Sequence, residues 1–265
     1  PLLHSQLHSF RCTAFITLER RTKILITGNC YKLQYLYECS TFVYMIRTYP
    51  TKSGTGVTIY GLSDDLKYLY DVVHYIANTL DESHELLKGR HQLLMNFAYD
   101  LRKAYQGQRL SKAFNQEFGE EVAYCGFNIV WTDILIFQNV LRDQAGYLMT
   151  NKRMQSVIYG LEAGIEDAIH SYDSEFANEL IDYLGFYFSV TTKYCFLIYQ
   201  ALHIDFVLQP GGKKRFRNLP KLLATHFSEF NQEHKLLIKN FERLAKEQGC
   251  EITDLTYSEF PDIKW

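Results

Sequence analysis

The sequence predicts an α+β fold, predominantly helical, in which an N-terminal β-hairpin packs on a multi-helix body. Three observations carry that expectation. Two short β-prone runs, residues 46–49 and 57–60, flank the Gly-containing turn signal Pro50-Thr-Lys-Ser-Gly-Thr-Gly56. No proline occurs between Pro50 and Pro210, so a long stretch lacks the strongest helix breaker. Apolar side chains make up 47% of the 265 residues, enough to fill a large core without disulfide or metal support.

The elements follow in order. After the hairpin, Ser63 reads as a helix N-cap, Asp64 and Asp65 suit the positive end of the helix dipole, and Leu66, Leu69, Tyr70, Val73, Ile76, Ala77 and Leu80 form one stripe at helical spacing. Further helices are expected near 89–106, 131–145, 152–171, 174–184, 189–203 and 228–248, the last ended by Gly249. Residues 121–127 and 251–253 read as short strands. No linker, repeat or low-complexity tract interrupts residues 45–265, which read as one α-rich domain.

Residues 1–44 differ in composition. They hold no Met and no Asp, three of the six cysteines, and five Lys or Arg against two Glu, a net of +3. They read as an acid-poor presequence, a disordered extension, or upstream DNA translated in frame. The last is favoured because the chain opens on Pro1 and a clean pattern begins at Met45. Within them 24–27, Ile-Leu-Ile-Thr, is a possible strand. The cysteines show neither C-x-x-C pairs nor framework spacing, which points to a reducing, cytoplasmic setting. The longest apolar stretches are interrupted by Thr132 and Asp133, or by Thr191 to Lys193, so no membrane anchor is expected.

Charge is distributed unevenly although the whole chain sums to −2. Residues 45–210 hold 13 basic against 20 acidic side chains, whereas residues 211–246 hold nine against three. The sharpest motif lies in the basic part: Gly211-Gly-Lys-Lys-Arg-Phe-Arg217, followed by Asn218 as an N-cap and Pro220 in the first turn of a helix. A glycine pair, four cations and a helix start together suit a phosphate or carboxylate, which makes Gly211, Gly212, Lys213, Lys214, Arg215 and Arg217 the candidate anion-binding residues. On the last long helix, Phe230, Leu237, Phe241 and Leu244 are expected on one face. Lys235, Lys239, Arg243 and Lys246 are expected opposite, as a basic stripe that an anionic partner or nucleic-acid backbone would meet. The competing reading is that these charges face water or pair with the acidic body.

Other chemistry is not signalled. Asp71 with His74, and Asp167 with His170, have carboxylate-x-x-His spacing, but both pairs fall on polar helix faces, so no metal is expected. There is no G-x-S-x-G elbow, no dinucleotide or P-loop pattern, and no cofactor is implied. Cys195 stands among apolar neighbours and reads as a core filler. Asp64 and Asp65 read as dipole partners and not as a catalytic pair.

Several segments nevertheless resemble an uncharacterised family of bacterial proteins, a domain of unknown function. They are the opening Met45-Ile-Arg-Thr-Tyr-Pro, then Arg102-Lys-Ala-Tyr-Gln-Gly107, the 211–220 motif, Cys250-Glu-Ile-Thr253 and the closing Ile263-Lys-Trp265. The resemblance runs from Met45 to Trp265 and implies a bacterial, cytoplasmic setting without supplying catalytic residues. The functional expectation is therefore a non-enzymatic binding protein whose basic loop and helix contact an anionic partner. The alternative is an enzyme acting on a phosphorylated or anionic small molecule, with Lys213, Lys214, Arg215 and Arg217 as clamps. A structural subunit without a ligand is the third possibility.

Overall fold

The computed structural model describes residues 14–18, 22–26, 46–115, 121–184 and 189–265. It divides into two compact units, Pro1–Val43 and Tyr44–Trp265. In the first unit, β1 (Ala14–Leu18) and β2 (Thr22–Ile26) form an antiparallel pair with Ala14 opposite Ile26. The expected strand at 24–27 falls within β2 as far as Ile26, and Thr27 lies outside the described residues.

The second unit opens with the expected hairpin, β3 (Arg47–Pro50) and β4 (Gly56–Gly61), but the sheet is larger than a hairpin. β5 (Leu110–Asn115) and β6 (Glu121–Val130) complete a four-stranded antiparallel sheet ordered β3-β4-β6-β5. β6 extends the short strand expected at 121–127. β5 was not expected, because five of its six side chains are exposed and alternation leaves no signature in them. On the inner face Val57, Ile59, Phe127 and Ile129 are buried in the core. On the other face Tyr49 of β3 and Phe114 of β5 stack at 6.1 Å although two strands separate them, so the sheet curls until its two outer strands meet through their side chains.

Nine helices are described, and they cover the inner face and build the body. α1 (Ser63–Ala77) and α2 (Glu85–Tyr105) pack on each other and on the sheet. Ser63 is the first helical residue and not the cap: its hydroxyl donates to the Tyr105 carbonyl at 2.9 Å and so ties the start of α1 to the end of α2. α3 (Trp131–Gly146) follows β6 directly and is buried on all sides from Trp131 to Leu141. α4 (Lys152–Tyr172) closes on β3, where Thr48 donates to the Gly164 carbonyl. The helix expected at 174–184 is shorter: α5 (Ala177–Ile181) gives way to a 3-10 turn at Asp182–Leu184.

α6 (Cys195–Val207) begins later than the expected 189–203 and runs further. The Ser and Thr run before it explains the shift. Ser189 Oγ bonds Thr191 Oγ1 at 2.7 Å and accepts from the Thr191 amide, offering the backbone an alternative to helix. α7 (Lys213–Arg217) and α8 (Leu219–Phe227) follow Pro210. α9 (Gln232–Gln248) starts where Asn231 Oδ1 accepts from the Glu233 amide at 2.9 Å, and ends at Gly249 in the left-handed region, φ 66°. Phe230 therefore precedes the helix and is almost wholly exposed, and Leu244 is exposed as well. The buried face of α9 runs instead through His234, Phe241 and Ala245. Residues 251–253 form no strand, because a 3-10 turn at Ile252–Asp254 takes their place. No helix among the described residues is long and apolar enough to cross a membrane.

Candidate functional site

The 211–217 motif turns at a corner where three parts of the chain meet. Gly212 donates its amide to the Ser53 carbonyl at 2.8 Å, which binds the motif to the hairpin turn. Arg215 is buried. Its guanidinium donates to the Gln209 carbonyl at 3.2 Å, the Ser53 carbonyl at 3.4 Å and Thr55 Oγ1 at 2.6 Å, and it lies over the Phe206 ring at 4.8 Å. Burial lowers its hold on the proton relative to an ordinary guanidinium. Arg217 grips the buried Asp173 with two bonds, 2.7 and 3.0 Å, and reaches Glu175 at 3.3 Å; Lys213 stands 3.8 Å from Asp173. These bonds, the Arg217 bonds above all, hold the Asp173 carboxyl below the usual range. Asn218 sits at the cap position of α8 but spends its side chain on Gln209, 3.1 Å away. Lys214 is exposed. The motif is thus built into the protein's own framework through Arg215 and Arg217.

Lys235, Lys239, Arg243 and Lys246 all lie exposed along α9, with Arg243 paired to Glu247 at 2.9 Å. Asp71 pairs with Lys67 at 2.8 Å, and no group of three or more His, Cys, Asp or Glu side chains able to hold a metal is found among the described residues. Cys195 is buried, and burial pushes its thiol up to about 12, which leaves it protonated and unreactive.

A second constellation was not singled out by the sequence. A cavity of about 490 Å³ opens beside the last residues of β6 and is lined by Asp100, Arg109, Asn128, Asp133, Ile263 and Trp265, among others. Each wall has a local cause. α2 carries Asp100 and ends at Tyr105, and Gly107 just beyond it, with a φ of 71°, turns the chain back. The turn brings Arg109 Nη2 to 2.9 Å from Asp100 Oδ1. Asp133 stands in the first turn of α3, where the helix dipole favours an anion. The segment carrying Ile263 and Trp265 is held by Thr55, which donates to the Lys264 carbonyl at 2.5 Å, and by Ser53, which donates to the Trp265 carbonyl at 3.0 Å.

Behind the wall Asp133 is gripped from the core. Thr132 Oγ1 donates to Asp133 Oδ1 at 3.0 Å, and His203 Nδ1 lies 2.8 Å from the same oxygen. The buried Tyr199 ring lies 6.2 Å from that of His203, on the same side of the wall. Burial pushes the Tyr199 phenol well above its ordinary value, reinforced by the charges of Asp133 and Asp100, so it remains a donor. Burial opposes a charge on His203, but the Asp133 carboxylate and its hydrogen bond outweigh it, and the imidazole holds its proton above the ordinary value of 6.5. Asp100 is raised by burial, against the pull of Arg109, with the like charge of Asp133 adding to the rise. One cavity therefore presents a carboxylate fixed by two donors, Thr132 and His203, and a second carboxyl that keeps its proton longer, the division of roles that acid–base chemistry uses.

Among known proteins, one family model matches residues 46–265, described as a domain of unknown function, DUF6904. No curated protein and no solved structure matches the chain.

Proposed function

Because the chain belongs to the DUF6904 family, which brings no chemistry with it, we propose a function from the cavity itself: it binds a small polar molecule and supports acid–base chemistry on it. Asp133, oriented by Thr132 and His203, takes the part of proton acceptor. Asp100 takes the part of proton donor, and Arg109 offers a guanidinium to an anionic group of the ligand. The observation that carries this reading is the buried 2.8 Å contact between His203 and an aspartate that lines a cavity. A carboxylate and an imidazole buried together cost desolvation that an apolar pair would not, so their placement at a cavity wall favours a use beyond packing. A reducing setting such as a bacterial cytoplasm accords with the free thiols of Cys125, Cys195 and Cys250.

Trp265 lines the cavity and Trp131 is wholly buried, so intrinsic fluorescence reports on the site. Titration with malonate, citrate and inorganic phosphate is expected to give a saturable change that Arg109→Ala abolishes and Trp265→Phe removes. A flat response to all three, or one indifferent to Arg109→Ala, would end this reading. A second reading keeps the exposed Lys235, Lys239 and Lys246 as a contact for an anionic macromolecule, supported by their exposure and by the basic excess around them. Its check is a salt series with duplex nucleic acid, where binding that falls steeply with salt and weakens in a Lys235, Lys239, Lys246→Glu variant is expected.

A further inference from the structure

The ladder between β4 and β6 determines which backbone groups face the cavity. Trp131 donates its amide to the Thr55 carbonyl at 3.2 Å, and Thr55 stands opposite Trp131 in the continued register. In an antiparallel ladder, bonded and non-bonded pairs alternate, so Ile129 and Phe127 also point their backbone groups at β4. Asn128 and Val130 then turn theirs the other way. On that side β5 has already ended, since its first residue Leu110 pairs with Gly126. The Asn128 amide and carbonyl and the Val130 amide therefore face the cavity that Asn128, Ile129 and Val130 line, with no strand paired to them there among the described residues. Val130 is also the N-cap of α3, which directs its carbonyl into the helix and leaves its amide at the edge.

An edge of peptide donors and acceptors is matched by another peptide backbone, whose groups repeat at the same spacing. The far wall is the 263–265 segment, whose carbonyls accept from Ser53 and Thr55, so a slot remains between it and β6. Arg109 stands beside Leu110, at the end of the slot where β5 stops, and Asp100 and Asp133 lie along it.

We propose that the ligand of this cavity is a short extended peptide ending in a free carboxylate, which adds as a strand to β6 at Asn128 and Val130 and places its carboxylate on Arg109. The proposal rests on the cavity reading above and names its ligand class. The edge supplies backbone recognition that is indifferent to side chains, while Arg109 sets the end of the peptide. The carboxyl groups of Asp100 and Asp133 then flank its amide groups.

The test uses the full chain and the Trp265 signal with acetyl-trialanine as probe. Three comparison ligands are its C-terminal amide, a depsipeptide with one central amide replaced by an ester, and malonate. The acid is expected to bind, the amide at least tenfold more weakly, and the depsipeptide several-fold more weakly because an ester lacks the N–H that an edge carbonyl accepts. Arg109→Ala is expected to bring acid and amide to the same affinity. Equal affinity for peptide and depsipeptide, or a response to malonate with none to any peptide, would overturn the strand-addition proposal while leaving the cavity reading intact. Silence toward malonate and peptides alike would remove both.

Discussion

Replacing Asp133 by Asn tests the energetics of the cavity wall most directly, because it keeps the shape of the side chain and removes its charge. In the wild type, His203 holds its proton above 6.5, so its ionisation stabilises the fold fully below that value and the contribution is lost as pH rises through the folded value. In the variant only burial acts on the imidazole, and burial favours the neutral form. The unfolded variant then takes up a proton below pH 6.5 that the folded variant refuses, and its stability falls as the solution is acidified. One full proton of difference corresponds to about 1.4 kcal/mol per pH unit. Between pH 6.5 and 5.5, where the folded wild-type imidazole is mostly charged and the folded variant's mostly neutral, the gap between wild type and variant should widen by about 1 kcal/mol. That comes on top of a pH-independent loss of about 1.5–3 kcal/mol for hydrogen bonds to a charged group. Urea unfolding at pH 5.5, 6.5 and 7.5 with a constant slope measures the gap, and the ring proton signals of His203 report its charge directly. Two stability curves displaced by the same amount at every pH would refute the reasoning, because the imidazole would then not depend on Asp133 for its proton.

Three further outcomes are expected. Gly56→Ala should lose about 1–3 kcal/mol in thermal or urea unfolding, since a Cβ there would stand 1.9 Å from the Ile129 carbonyl oxygen, backbone that cannot step aside. Alkylation with iodoacetamide at pH 8, mapped by peptide mass, should spare Cys195 in the folded protein, whose thiol stays protonated at that pH, and label it only after urea is added. Asp173→Asn should loosen the Gly212 corner, seen as roughly tenfold faster amide exchange at 212–217, about the worth of one charge-assisted hydrogen bond; the support Asp173 gives is present above the ordinary carboxyl value of 3.8 and is lost as pH falls through its lower folded value.

The fold was legible where periodicity and punctuation act locally. Pro50 and the glycines marked the hairpin, and Gly249 closed α9 in the left-handed conformation the residue type suggests. β5 was hidden because its stability comes from pairing with β6 and from a ring stack with Tyr49, neither of which leaves a pattern in Leu110–Asn115 itself. The site was legible only in pieces. Asp133 and His203 lie 70 residues apart, the first on a helix that is buried all round from Trp131 to Leu141 despite its polar residues, the second on the strongly apolar α6. A titratable residue such as His203 within a strongly apolar helix is the signal that was available from sequence. In the 211–217 motif the residue types suggested a ligand clamp, but spacing alone does not reveal that Asp173 and the Ser53 carbonyl stand within reach of Arg217 and Arg215.

Arg215 joins segments that are remote along the chain: Gln209, the Ser53 turn, and, through Thr55, the carbonyl of Lys264. Loss of the Arg215 side chain would remove its bonds to Gln209, Ser53 and Thr55 together. A protease that nicks the chain anywhere between Tyr257 and Ile263 would spare the sheet and the helical core yet leave the cavity without its far wall. Such a nicked protein is expected to keep most of its heat resistance while losing the ligand proposed for the cavity, a separation of folding from binding set by the two hydroxyls, of Ser53 and Thr55, that hold the segment.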